Sequence, residues 1–576
     1  MTHSRPESNK AAPRRRNAAT SAIVAGILVV VVATVAVFAS EIQDAASSVL
    51  NTDDGAVAID PTPDPSIEAP NADHHYSSAY VEGDVGFPET LNPLLAQTPS
   101  EKSASTMLYR TLLTSDSSGD PAPDLAVNWT VSADGTTYTI ELDPDAEWHD
   151  GEQVKVEDVL FTISLVRDAE FPGNRDLAQF WRAITPQRLD ERTIEFSLLE
   201  PYVGFAHYLR LPILPKHVFG DVLPSDLDDL PLNQHVVGSG PYAISEIDAQ
   251  AREIRFVAFE NSGDPGFEEV IFRYFDDRDD VIDAFRDGDL DGVSYVPLDR
   301  LRDDSALPGN TRVYGPEIAG YTAMYFNVRH PYFRDLNTRR ALESAIDRDE
   351  IVETVLDGHA VPGDSPIPRM SSAHAPGAHL RYDPSEAEAL LEREGWVVED
   401  DDQIRQRDGE YFHIPLIVNS EDPQRIAVAN LIQEQLRDVG VSVDVQVMPN
   451  SDVQQALASR QFTAVVFGWH TENGNLDCFQ LWHSSQGETG TNFTGFADSA
   501  ADDLLVQARR SASISERNEH YAGFQEIFAE QVPAVVLFYP RYHFAVSERV
   551  QGAEPAPLVS PGDRVRQIPK WYAGES

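Results

Sequence analysis

Apolar and polar residues follow two rhythms along this chain. Residues 136–142, Thr-Thr-Tyr-Thr-Ile-Glu-Leu, alternate with a period of two, as do residues 193–198, and both runs predict strands. Between them Val156, Val159, Leu160, Ile163 and Val166 recur at helical spacing. They predict a helix over 156–167, with Glu157 and Asp158 in the first turn, where acids suit the helix dipole. Three more helices are predicted by the same spacing. One covers 336–356 (Ala341, Leu342, Ala345, Ile346, Ile351, Val352, Val355), one 384–394 (Ala387, Leu390, Leu391) and one 425–439 (Ala429, Ile432, Leu436). Gly395 and Gly440 end the last two. Strands are predicted over 441–447 directly after the third helix and over 462–467 after a further one. Strand, helix and strand joined by short turns predict an α/β fold with a covered, partly parallel sheet. No short-period repeat interrupts the pattern.

One stretch has neither rhythm. Residues 18–40 are uncharged and mostly apolar, behind a basic cluster at Arg14, Arg15 and Arg16 and ahead of the first acid at Glu41. About 20 apolar residues suffice to span a bilayer, and the basic flank puts the N-terminus in the cytoplasm and the remainder outside. The run exceeds an ordinary signal core, so an uncleaved anchor is expected, with cleavage after Ala39 as the alternative. The expected division is a cytoplasmic tail at 1–17, the anchor or signal at 18–40, an acidic Pro-rich linker at 41–75 and a folded region at 76–576. Localisation at the cell membrane with the main domain outside follows, or secretion if the segment is cleaved. No cysteine follows the apolar run, which excludes a lipid anchor there.

Composition narrows the function classes. There are 44 basic and 94 acidic residues, a net charge of −50, and this disfavours nucleic acid, whose phosphates need clustered cations. The lone Cys478 excludes a disulfide within the chain. About 500 residues beyond the linker are enough for several packed bodies held by core burial alone. A monomer is expected, with no cofactor, no metal and no catalytic residues. His149-Asp150-Gly151 reads as a structural turn rather than a catalytic group. Gly238-Ser239-Gly240-Pro241 lacks the lysine and the span of a phosphate loop and reads as a tight interdomain crossing. His74 and His75 are adjacent in the linker without a third ligand. Cys478 reads as an inert buried thiol.

Several further segments keep one order from about residue 80 to 540. They are Thr90-Leu91-Asn92-Pro93-Leu94, Leu108-Tyr109-Arg110-Thr111-Leu112-Leu113 and Pro123-Asp124-Leu125-Ala126-Val127-Asn128-Trp129 followed by Asp134-Gly135-Thr136-Thr137-Tyr138. Trp148-His149-Asp150-Gly151, Gly238-Ser239-Gly240-Pro241-Tyr242 and Phe285-Arg286-Asp287-Gly288-Asp289-Leu290-Asp291 follow. Tyr325-Phe326-Asn327 and Arg339-Arg340-Ala341-Leu342 through Ala345-Ile346-Asp347-Arg348 close the series. Taken jointly they resemble family 5 of the extracellular solute-binding proteins, the oligopeptide- and dipeptide-binding components of ABC importers.

The resemblance implies a two-lobed, periplasmic-binding-protein-like fold of the large three-domain type. Lobe I would comprise 76–115, 236–310 and 525–576, with 116–235 as an attached subdomain, and lobe II would comprise 311–524. It implies capture of a small peptide or related solute between the lobes and delivery to permease subunits in the membrane. Within Gly468-Trp469-His470-Thr471-Glu472-Asn473-Gly474-Asn475-Leu476-Asp477, expected as a loop after a strand ending at Phe467, the resemblance aligns Glu472 with the family's aspartate that pairs with a ligand's α-ammonium. Asp477 is the alternative carboxylate and Asn473 a further contact. Trp469 is expected to line the cleft and Trp482 to pack in the core. Tyr325 and Asn327 stand where the third domain begins, facing either the cleft or the core. A non-peptide solute (sugar, metal chelate, nucleoside) on the same fold and an exported hydrolase remain the alternatives.

Overall fold

A computed structural model describes residues 79–576 except 233–235, 261–262, 264, 304, 377–380, 400–402, 472–473, 476, 555 and 575–576, together with the backbone of 57–58. The expected membrane segment, His74, His75, Glu472 and Asn473 lie outside the described residues. Among those described, no helix is long and apolar enough to cross a membrane.

Each predicted strand pairs into one of three main sheets. The first is antiparallel and orders Val57–Ala58, Ala126–Val131, Thr137–Leu142, Thr193–Ser197 and Thr185–Arg188. Val57–Ala58 fall in the expected linker, yet their backbone pairs with Val131 and Thr130. The second sheet has seven strands, ordered Thr311–Tyr314, Phe544–Ser547, Gly292–Val293, Tyr80–Val85, Glu269–Phe275, Glu253–Ala258 and Tyr242–Asp248. Its strand Tyr80–Val85 runs parallel to both neighbours. The third sheet has six strands, ordered Ala360–Pro362, Ala534–Pro540, Gly320–Phe326, Ala464–His470, His413–Asn419 and Ser442–Met448. Here His413–Asn419 runs parallel to both neighbours, as the strand–helix–strand pattern predicts. Gly320–Phe326 is buried at every position because its sheet is covered on both faces.

The helices follow their caps. Asp383 caps Pro384–Arg393 and Asp422 caps Pro423–Asp438, each accepting a backbone N–H from the third helical residue. Gly395 and Gly440 take positive φ of 83° and 79°, where a side chain would be strained. The single helix expected over 336–356 is instead broken. Leu336–Ser344 stops, and Asp347 caps a new turn by accepting from Glu350 N at 3.0 Å, followed by a π-helical stretch at Ile351–Val355. The apolar period runs through this break, but the aspartate offers the backbone another partner.

Strand pairing divides the chain at two points other than those drawn from sequence. Thr311–Tyr314 joins the seven-stranded sheet, and Ala534–Pro540 lies inside the six-stranded one. The chain therefore crosses between these sheets at 315–319 and at 541–543. The crossings run side by side: Tyr542 N donates to Pro316 O at 2.9 Å and Ile318 N to Pro540 O at 3.2 Å. A Cβ on Gly315 would stand 2.8 Å from the His543 imidazole, so any larger residue there would have to displace that ring.

His543 in turn meets His359, Nε2 to Nδ1 at 3.1 Å. Burial lowers the His543 pKa to about 4, with His359 and Arg541 adding to the shift. Its folded value lies below the unfolded 6.5, so between the two the unfolded chain binds more protons. This contribution to stability is complete above that window and is lost as pH falls through it. Acidification from about pH 7 to 5 should cost roughly 2 kcal/mol through this residue. Denaturant titrations at the two pH values check this against His543→Gln. A variant that loses as much stability as the parent would remove His543 as the source.

Candidate functional site

In α/β sheets, ligands bind outside the carboxyl ends of parallel strands, where strand order switches. Both mixed sheets have such a place. In the seven-stranded sheet it lies beyond Tyr80–Val85, between two parallel neighbours. Asp84, next to last in this strand, is a buried carboxylate: Ser294 Oγ donates to Oδ1 at 2.7 Å and Val85 N at 2.8 Å. Arg278 Nη2 stands 3.7 Å away. Burial pushes the Asp84 pKa up, and the hydrogen bonds from Ser294 and Val85 oppose it. The Arg278 guanidinium also lies 5.5 Å from the Tyr295 ring centre, and Tyr542 Oη donates to Ser294 O at 2.7 Å. Asp277 caps the helix Arg278–Asp287 directly after the neighbouring strand, which fixes Arg278 at the crevice.

In the six-stranded sheet the matching place lies beyond His413–Asn419 and Ala464–His470. The helix Pro423–Asp438 starts there, with Arg425 Nε 3.2 Å from Asp422. A Cβ on Gly468 would stand 2.2 Å from Arg425 Nη2, so the guanidinium lies directly against the strand. Tyr295 from the first crevice and Gln424 from the second line one small gap together with Pro540, Arg541 and His543. Residues from both crevices thus meet at one gap beside the crossings.

The segment singled out from sequence begins here, but not as a loop. Gly468, Trp469 and His470 continue the strand, paired with Thr322, Tyr321 and Gly320. The partner strand extends alongside them and carries the ladder past Phe467, where the apolar run ends. Trp469 is half-buried, its ring centre 5.8 Å from that of Tyr321. Asp477 already has a cation: Arg509 Nη2 donates to Oδ2 at 2.6 Å, and the carboxylate also caps the helix Cys478–Trp482. Its negative charge is met within the protein.

Two other candidates are structural. Tyr325 is buried and stacks on Trp482, with ring centres 5.9 Å apart and planes at 13°. Neighbouring core residues cover the faces a ligand would need, because the strand is buried on both sides. Asn327 Nδ2 donates to Phe462 O at 2.9 Å and Arg460 O at 3.3 Å, tying two turns together. Tyr325→Phe should accordingly leave solute affinity within about twofold, as checked by titration calorimetry.

Both glycine-bearing segments are held by local contacts. Gly151 has φ +86° and donates to Trp148 O at 2.8 Å. His149 holds the turn to the Gly238–Gly240 segment, with Gly238 N donating to Nδ1 at 3.1 Å and Nε2 3.0 Å from Gly240 O. A Cβ on Gly238 would stand 1.9 Å from Leu108 O, which explains the glycine at this crossing. Cys478 is buried, and burial raises its thiol pKa.

Sequence reasoning missed Asp84, Arg278, Ser294, Tyr295 and Arg425. The available signal was Asp84 near the end of a strand-like run and Arg278 just after another, but both sit among many acids and arginines. A cavity of about 640 Å³, an ordinary size for a small-molecule site, opens between Thr114–Ser117 and Ala556–Val559. Its polar lining includes Arg110, Asp124, Asp563 and Arg566, and it is separate from the strand end at Trp469.

Comparison with known proteins decides the family. The model described as bacterial extracellular solute-binding proteins, family 5 Middle, matches residues 120–491, nearly two-thirds of the chain. The chain belongs to this family. Among its relatives is the oligopeptide-binding protein AppA of Bacillus subtilis, 26% identical over 505 residues, covering 85% of this chain and 91% of that protein. The AppA structure, solved with a nonapeptide, has a TM-score of 0.63 at 24% identity and covers 86% of this chain and 99% of that one. The dipeptide-binding protein of Escherichia coli is 25% identical over 502 residues, covering 82% and 91%. NikZ of Campylobacter jejuni, solved with Ni(L-His), shares the fold with a TM-score of 0.66 at 23% identity, covering 86% of this chain and 99% of that one.

Proposed function

We propose that this solute-binding protein captures short peptides between its two mixed sheets outside the cytoplasm and hands them to the permease of an ABC importer. One observation carries the reading: Tyr295 and Gln424, each shortly beyond the carboxyl end of a parallel strand in a different mixed sheet, line one gap with Pro540, Arg541 and His543 of the crossing. Such paired crossings suit a hinge, and closure over a solute gives a two-state signal that a permease can read. The names of the sequence relatives AppA and the dipeptide-binding protein favour a peptide.

In this reading the lobes follow the sheets, with 116–235 as a subdomain of the first. Trp469 lines the cleft, and Glu472 with Asn473 contacts the ligand's amino end. The apolar segment at 18–40 tethers a monomer to the membrane and the acidic linker sets its reach, with binding rather than catalysis as its role. Titration calorimetry with tripeptides tests the reading. Free tripeptides should bind one per chain, and their N-acetylated forms at least tenfold more weakly. Equal affinity for both would remove the ammonium contact, and no binding of either would remove the peptide.

A further inference from the structure

A second set of contacts, built from polar groups, joins the two bodies next to the crossing at 315–319, where Thr471 N donates to Ala319 O at 3.1 Å. On one side stand the helices Ser499–Arg510 and Ile514–Gln531, whose Ala501, Leu505, Tyr521 and Phe524 share a core with Tyr321 and Ala323 of the six-stranded sheet. On the other side stand Asp120 and residues 200–207, whose Phe205 and Ala206 belong to the core of the N-terminal part. Arg517 Nη2 donates to Asp120 Oδ1 at 3.0 Å, with side chains only 6% and 17% exposed. Arg517 Nη1 lies 3.3 Å from His207 Nε2, so that nitrogen faces the guanidinium as an acceptor. Asn475 Nδ2 donates to Tyr202 Oη at 2.7 Å, and Tyr202 Oη donates to Asp477 Oδ2 at 3.3 Å. Asp477 is held in turn by Arg509, whose carbonyl accepts from Val203 N at 3.0 Å. Arg510 adds an exposed pair with Glu200 at 3.5 Å.

From this arrangement we infer that Asp120–Arg517 and Tyr202–Asp477–Arg509 form a latch that favours the closed arrangement before any solute binds, and so regulates the proposed site. The inference rests on the solute-binding reading only for its effect on affinity. Three physical points support it. Among the described residues Asp120 and Arg517 have their ion pair with each other across this contact, so that attraction exists only while the bodies meet. Burial of Arg517 shields that attraction from salt, but the charges must separate through water on opening, which makes the open–closed balance depend on ionic strength. Asn475 and Asp477 end the segment that starts at Gly468, so the latch and the ligand-facing strand end share one short piece of chain.

Single-molecule energy transfer on the full chain tests this directly. Dyes go on exposed Val257→Cys in the first body and Val447→Cys in the second, while Cys478 stays buried and unlabelled. Without solute, the parent should be mostly in the short-distance state at about 50 mM salt and shift toward the long one at about 1 M. Asp120→Asn and Tyr202→Phe should each favour the long-distance state at low salt and respond less to added salt. Their tripeptide affinity should fall about 3- to 10-fold, in proportion to the closed fraction. Melting curves show whether each variant folds, and Tyr202→Phe, which removes only a hydroxyl, covers the case in which Asp120→Asn does not. Distances that match the parent in both folded variants, or a parent indifferent to salt, would overturn the latch. Salt-dependent distances in a protein that binds no tripeptide would keep the latch and reject the peptide reading.

Discussion

Arg564→Met is expected to lower the free energy of unfolding by about 3–5 kcal/mol. Arg564 and Glu82 form a bidentate pair at 2.7 and 2.6 Å, with side chains 1% and 2% exposed. Glu82 sits in the middle of the strand Tyr80–Val85, flanked by parallel strands on both sides, and Tyr80 Oη donates to it at 2.7 Å. Arg564 reaches it from the 3₁₀ helix Pro561–Lys570, with the Phe544 ring centre 5.3 Å from the guanidinium carbon. The pair thus ties the C-terminal part of the chain to one of the first strands. Removing the cation alone leaves a buried carboxylate uncompensated, and that cost exceeds what the pair contributes over an apolar core. Glu82→Gln combined with Arg564→Met should therefore recover part of the loss. Denaturant titration of the three proteins measures both effects. A single-variant loss below about 1 kcal/mol would mean that water reaches the carboxylate.

The second large effect is expected in binding. Glu472→Gln should weaken affinity for tripeptides by about 100-fold, or roughly 3 kcal/mol, while leaving stability nearly unchanged. The segment from Gly468 to Asp477 holds two acids, Glu472 and Asp477, and the structure commits Asp477 to Arg509 and to a helix cap. An ammonium drawn out of water needs a carboxylate, and glutamine offers a dipole but no charge. Titration calorimetry on parent and variant gives the ratio. Affinity changed by less than about threefold would remove Glu472 from the site and leave the lobe-I Asp84 as the acid to test next.

The parts of this fold legible from sequence are those where a local rule and the packed structure agree. The helix 156–167 and the strands at 136–142 and 193–198 were set by apolar period, and their ends moved by one residue at most. The break at Asp347 was hidden because the side chains on both sides of it remain buried, so the period survives while the backbone changes partner. Trp469 was placed just beyond a strand, yet the ladder with Gly320–Phe326 carries it into the sheet. A pairing between residues about 150 positions apart leaves no mark on either segment alone. The crossings and the gap where both crevices meet were illegible for the same reason. Asp84 and Arg278 become notable only when separate strands bring them to one edge, and Asp477 loses its candidacy only when Arg509 arrives beside it.

Mass spectrometry of the solute that co-purifies with the folded chain distinguishes a peptide carrier from a carrier of other solutes. Peptide masses with free amino termini are expected, released on denaturation at no more than one per chain and absent from a Glu472→Gln preparation. Release of a sugar, a metal chelate or a nucleoside in place of peptides would contradict it.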